Sequence, residues 1–205
     1  MKIWGRENST NVRKARWCAE ELGLEYELIP AGGAFGVVDS PEYLAKNPNG
    51  LVPCLEDDGL ILWESNAIVR YLARRYGAAP FAPVDPRLWA VGDKWMDWAS
   101  LSFAVPFRDL FWTLVRCPPD QRDMAVAERG AAGCARLMAM ADRALEEAPW
   151  LSGPDFGIGD IPLGPIAYGW FSLPIDRPAL PALEDWYARL QARPAFRKAV
   201  MTPLT

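Results

Sequence analysis

Apolar positions along the first third of the chain change their period several times, and each change marks an element. Lys2-Ile3-Trp4-Gly5 is short and apolar enough for a strand, and the polar stretch Arg6 to Thr10 reads as a loop. From Asn11 to Leu22, Val12, Ala15, Ala19 and Leu22 recur at spacings of three and four, with Arg13, Lys14, Arg16, Glu20 and Glu21 largely on the other side. That pattern predicts a helix. Ser9 or Asn11 suits its N-cap, and Gly23 stops it. Glu25 to Pro30 alternates as a strand does, and Ala31 to Gly36 is glycine-rich. Ser40 and Pro41 open a short helix through Lys46, and Asn47-Pro48-Asn49-Gly50 is a turn. Val52–Leu55 and Leu60–Trp63 predict a hairpin around Asp57-Asp58-Gly59. An amphipathic helix over Ser65–Tyr76 ends at Gly77.

After that the pattern changes character. Residues 78–86 hold three prolines and no periodicity, which marks a linker. Beyond it only helical spacing appears: Arg87–Val115, Arg122–Glu147, Ile161–Phe171 and Leu183–Ala192, with Cys117-Pro118-Pro119 breaking the first two. The expected fold is an α/β domain over residues 1–77 with a mixed four-stranded sheet, followed by an all-α domain over residues 87–205.

Composition narrows the function. The 205 residues, 51% hydrophobic, suffice for a sizeable core. A net charge of -4 and a pI near 5.0 argue against a nucleic-acid partner. No apolar run approaches the roughly 18 residues that a membrane span needs, and the start lacks a secretory h-region. The four cysteines, Cys18, Cys54, Cys117 and Cys134, form no CxxC, as expected of reduced cysteines in a cytoplasmic protein. The chain has no histidine, which removes a histidine base, a Ser-His-Asp triad and histidine metal sites; with isolated cysteines, no metal is expected. Ten tryptophans imply well-filled core or cleft walls.

Four motifs, Ser9-Thr10-Asn11-Val12-Arg13-Lys14, Asn47-Pro48-Asn49-Gly50-Leu51-Val52-Pro53, Glu64-Ser65-Asn66-Ala67-Ile68 and Phe156-Gly157-Ile158-Gly159-Asp160-Ile161, together resemble those of the glutathione transferase family across nearly the whole chain. Ser9-Thr10-Asn11-Val12-Arg13-Lys14 with Glu20-Glu21-Leu22-Gly23-Leu24 resembles the first active-site loop and helix of bacterial, serine-type (theta- or nu-like) members. Asn47-Pro48-Asn49-Gly50-Leu51-Val52-Pro53 resembles the approach to the family's cis-proline. Glu64-Ser65-Asn66-Ala67-Ile68 resembles its Glu-Ser-x-Ala-Ile motif. Phe156-Gly157-Ile158-Gly159-Asp160-Ile161 resembles the start of its buried helix. The resemblance implies a thioredoxin-like N-terminal domain, an all-α C-terminal domain, a homodimer, and glutathione as co-substrate without a metal.

Each motif has a plain reading beside the one the resemblance implies. Ser9 and Asn11 are common helix caps; by resemblance Ser9, with Asn11 or Thr10 as substitutes, faces the glutathione sulfur and stabilises its thiolate. Sequence alone favours a trans bond before Pro53; the resemblance implies cis, so that the Val52 backbone pairs with glutathione like an added strand. Glu64 and Ser65 form either a helix cap or a seat for the γ-glutamyl group. Many members carry Lys, Arg or Gln where this chain has Leu51, so Lys46 or the Phe35-Gly36-Val37-Val38 segment is expected at the glycine end. Asp160 is expected to be structural. Phe103, Phe107, Phe111 and Trp112 recur at helical spacing with Arg108 beside them, and with Trp4 they are expected to border a cleft for a small hydrophobic electrophile. Core and dimer packing is the plainer reading for each. Conjugation of glutathione to such an electrophile is the leading function, with disulfide reductase or peroxidase chemistry and a non-catalytic binding module as alternatives.

Overall fold

The computed structural model describes residues 1–205. Strand β1 (Lys2–Gly5) is central in a four-stranded sheet of order β2-β1-β3-β4. It pairs parallel with β2 (Glu27–Pro30) and antiparallel with β3 (Cys54–Asp57), which pairs antiparallel with β4 (Leu60–Trp63). Side chains alternate across a strand. Ile3 and Gly5 therefore face helix α1 (Thr10–Glu21), while Trp4 lies on the opposite face against Tyr43. Gly5 lets the helix close onto the strand end, because a Cβ there would stand 2.4 Å from a Val12 methyl. The β3–β4 turn places Asp58 and Gly59 at positive φ, the form a two-residue Asp-Gly hairpin favours. Helix α2 is only Pro41–Leu44, shorter than expected, and α3 spans Ser65–Tyr76.

The rest is helical: α4 (Pro86–Ser102), α5 (Pro106–Phe111), α6 (Met124–Glu147), α7 (Leu163–Ser172), α8 (Pro181–Ala192) and α9 (Pro194–Ala199). Three details depart from the sequence reading. The pattern over Arg87–Val115 is two helices, because Pro106 has no N–H to continue the ladder and instead occupies the first position of α5. After α5 the chain closes a wider π turn at Trp112–Arg116, with the Cys117 N–H donating to the Trp112 carbonyl at 2.8 Å. Helix α9 was not expected; Phe196 seats it against Trp17 of α1, ring centroids 4.8 Å apart.

One apolar core runs from the sheet (Ile3, Leu55) through α1 (Val12, Trp17) into the helices (Met96, Phe107, Trp170, Trp186). Helix α1 is thus covered on both sides. Arg13, Lys14 and Arg16, which helical spacing placed on an outer face, are all buried. Arg13 donates to the carbonyls of Thr202, at 3.0 Å, and Glu7, at 3.1 Å, tying the C-terminal segment to the loop before Ser9. Asp160 accepts from the Leu151 N–H (2.9 Å), the Gly157 N–H (3.2 Å) and the Trp186 indole (2.8 Å). That is a structural role.

Candidate active site

Helices α1 and α3 both begin at the edge of one cleft. Ser9 is the N-cap of α1; its Oγ accepts a long 3.5 Å bond from the Val12 N–H. Thr10 is the first residue of the helix. The Ser65 hydroxyl donates to Asn11 Oδ1 at 3.3 Å and so links the two helix starts. Two helix N-termini turned to one place create a positive potential suited to an anion. Glu64, at the N-cap position of α3, has φ +71° and ψ 114°. For a residue with a Cβ this conformation costs about 1–3 kcal/mol and is found disproportionately at functional sites.

The cleft encloses about 800 Å³. It brings together Ser9, Thr10, Asn11, Glu64 and Ser65 with Phe103 at the C-cap of α4, Phe107, Arg108 and Phe111 of α5, and Trp112 of the π turn. Phe103 and Phe107 are nearly buried, whereas Trp112 is largely exposed at the rim. The Arg108 guanidinium donates to Asp109 at 3.0 Å.

Other predicted residues lie outside this lining. Trp4 is not in the cleft, because strand alternation turns it to the other sheet face. There its indole donates to Glu56 at 2.6 Å, and the Lys46 ammonium lies 5.4 Å from its ring. Lys46 also pairs with Glu56 at 2.6 Å and holds that carboxyl below its ordinary range. The Val52–Pro53 bond is cis. Neither the Val52 N–H nor its C=O bonds to another backbone group. The Leu51 carbonyl accepts from the Tyr43 hydroxyl (2.6 Å) and the Asn47 amide (2.7 Å), while its side chain is 65% exposed. Phe35 sits in an exposed turn of its own.

The cleft also contains residues that sequence reasoning passed over, among them Arg6, Lys14, Asn66, Arg70, Ser100 and Arg116. Lys14 stands three residues after Asn11, a spacing that puts both on one helix face. Its ammonium donates to Ser100 Oγ at 3.1 Å. Burial pushes its pKa down to about 8, and the charge of Glu64 opposes that shift. The Asn66 amide donates to the Met96 carbonyl (2.7 Å) and to Ser100 (3.0 Å), clamping α3 to α4 beneath the site. No cysteine lines the cleft. Burial raises the Cys18 thiol well above its ordinary value, and Cys54 to about 11.

Comparison with known proteins agrees with this geometry. The family described as "Glutathione S-transferase, N-terminal domain" matches residues 1–74. Glutathione S-transferase GstB of Escherichia coli K12 is 46% identical, with all of both chains aligned. The disulfide-bond oxidoreductase YfcG of the same organism is 31% identical, over 93% of this chain and 90% of its own length. The crystal structure of a theta class glutathione S-transferase from Xanthomonas axonopodis pv. citri, with glutathione bound, is 56% identical and superposes with a TM-score of 0.97, covering 100% of this chain and 98% of that one. A shared fold and identity of this order over the full length make the chain an enzyme of the glutathione S-transferase family.

Proposed function

We propose that the enzyme binds glutathione along residues 1–77 and transfers its sulfur to a hydrophobic electrophile held against the helical part, residues 87–205, with residues 78–86 linking the two. The observation that carries this is the meeting of the α1 and α3 starts, with Ser9 at one and Ser65 at the other, opposite the aromatic wall. The γ-glutamyl carboxylate would take the Ser65 hydroxyl and N–H, and its ammonium Glu64. The cysteinyl backbone would pair with the free Val52 amide and carbonyl. We assign the glycine end to Lys46 and the turn carrying Phe35, beside Leu51.

A free thiol of pKa about 8.5 is only a few per cent ionised at neutral pH. The Ser9 hydroxyl, donating to sulfur, and the helix N-termini would stabilise the thiolate. The thiol proton passes to solvent, sulfur forms the new bond to the electrophilic carbon, and the leaving group departs with its electron pair. Positioning of both reactants supplies the remaining acceleration. By the family resemblance we assign a homodimer and a cytoplasmic setting.

Replacement of Ser9 by Ala tests the assignment. The pKa of bound glutathione, read from thiolate absorbance, should rise, and kcat/KM at pH 7 should fall on the order of 100-fold, as when one anion-stabilising donor is removed. An unchanged thiol pKa sinks the role of Ser9. A second reading is glutathione-dependent disulfide reduction, favoured by Asn11 at the site and by the likeness to YfcG. Turnover of a glutathione-capped disulfide faster than of a chlorodinitrobenzene would favour it.

A further inference from the structure

The cleft is cationic within an acidic protein. Five basic side chains line it, Arg6, Lys14, Arg70, Arg108 and Arg116, against two acids, Glu64 and Asp97, while the chain as a whole carries a net charge of -4. Three of the five have local partners. Arg70 pairs with Asp93 at 2.6 Å and with Asp97, Arg108 pairs with Asp109, and Lys14 faces Glu64 and Ser100.

Arg6 and Arg116 have no acid. Arg6 donates only to the neutral amide of Asn8, at 2.8 Å, and its Nε is buried without a partner. Arg116 ends the π turn with its guanidinium 5.7 Å from the Phe111 ring centroid. The two lie near enough that the charge of Arg6 adds to burial in lowering the pKa of Arg116. Two like charges lining one cleft without a counter-ion, next to an aromatic wall, are relieved when an anion bridges them. The carboxylates of glutathione are assigned elsewhere, to Ser65 and to the Lys46 side.

We propose that Arg6 and Arg116 form a subsite for an anionic head group, so that the preferred electrophiles carry a carboxylate on an apolar reacting body. This rests on the transferase reading. A suitable probe is 4-chloro-3-nitrobenzoate. The glutathione thiolate adds at the ring carbon bearing chlorine, the C–S bond forms, and the C–Cl bond breaks with both electrons leaving on chloride. The thiol proton has already gone to solvent. The carboxylate meanwhile sits between the two guanidinium groups and the ring lies along Phe107 and Phe111.

The test compares this acid with its methyl ester, by kcat/KM at saturating glutathione divided by the uncatalysed rate with glutathione thiolate, which removes the greater intrinsic reactivity of the ester, and by calorimetric binding of the two finished glutathione conjugates. The wild type should favour the acid roughly tenfold or more, the scale of a charge-assisted hydrogen bond in a water-poor site. In Arg116→Met, with folding checked by its melting temperature, the preference should shrink to near parity in both measurements. Equal or better use of the ester by the wild type overturns the inference and leaves the transferase reading standing. Should neither compound turn over, the conjugate-binding ratio still decides the subsite. Failure to bind glutathione or either conjugate removes both readings together.

Discussion

Lys14 and Asp160 are both buried charges, one in each part of the chain, and they are buried on different terms. Asp160 is surrounded by donors: two backbone N–H groups and an indole N–H point at its two oxygens. Burial pushes its carboxyl pKa up, and these hydrogen bonds pull it back. The donors depend on it as much as it depends on them. Lys14 has one neutral acceptor, Ser100 Oγ, and the longer-range charge of Glu64. Nothing else in the fold needs its ammonium. A buried ion whose neighbours would be orphaned by its loss holds structure together. A buried ion with few partners, bordering a cleft, weakens the fold and supplies the site with potential.

The largest test of this contrast is Asp160→Ala. It leaves three buried donors unpaired and should destabilise the protein by about 3–5 kcal/mol. For a chain of this size that lowers the melting temperature by roughly 10 °C, measurable by circular dichroism. Wild-type stability in that variant would remove the structural role.

Next comes Lys14→Met, which keeps the length of the side chain and removes the charge. At pH 7 it should stabilise the fold by about 2–3 kcal/mol, since the folded pKa is depressed from 10.5 to about 8, each unit is worth about 1.4 kcal/mol, and the bond to Ser100 is lost in exchange. The sign follows from proton counting. The folded group titrates near 8 and the free group near 10.5, so between these values the unfolded chain holds more protons. Wild-type stability therefore rises with pH across that window, and the advantage of the variant fades. Urea unfolding at pH 7 and pH 10 measures both; a constant difference contradicts the account.

Ser100→Ala is the smallest change. It takes the acceptor from Lys14 and one of two acceptors from Asn66. About 1–2 kcal/mol of stability should be lost, the usual net worth of two hydrogen bonds. In the Lys14→Met background the loss should shrink, because the ammonium no longer needs Ser100. A double-mutant cycle with no coupling would count against the contact.

Much of the fold was legible because it rests on local signals. The short apolar runs Lys2–Gly5 and Leu60–Trp63, spacing of three and four over Asn11–Leu22, and Asp58-Gly59 at the hairpin all became the elements they predicted. The break at Pro106 was also readable, but the apolar period ran through it and masked it. Ser9, Asn11, Glu64 and Ser65, singled out through motifs, line one cleft. Trp4 was misplaced there because nearness along a strand does not say which face a side chain takes. Arg6, Lys14 and Arg116 were missed because a basic residue on an amphipathic helix or in a loop ordinarily faces water.

By itself the sequence determined which stretches form most of the helices and strands, the absence of histidine chemistry, and the family to which its motifs point. Those follow from backbone preferences and residue inventory, which act over a few positions. Only the tertiary structure decided which charges are buried, which are paired and which face the cleft. Helix α1 is enclosed from both sides, so the face that reads as polar surface became interior, and the cost of that burial depends on partners as distant in sequence as Ser100 and Thr202.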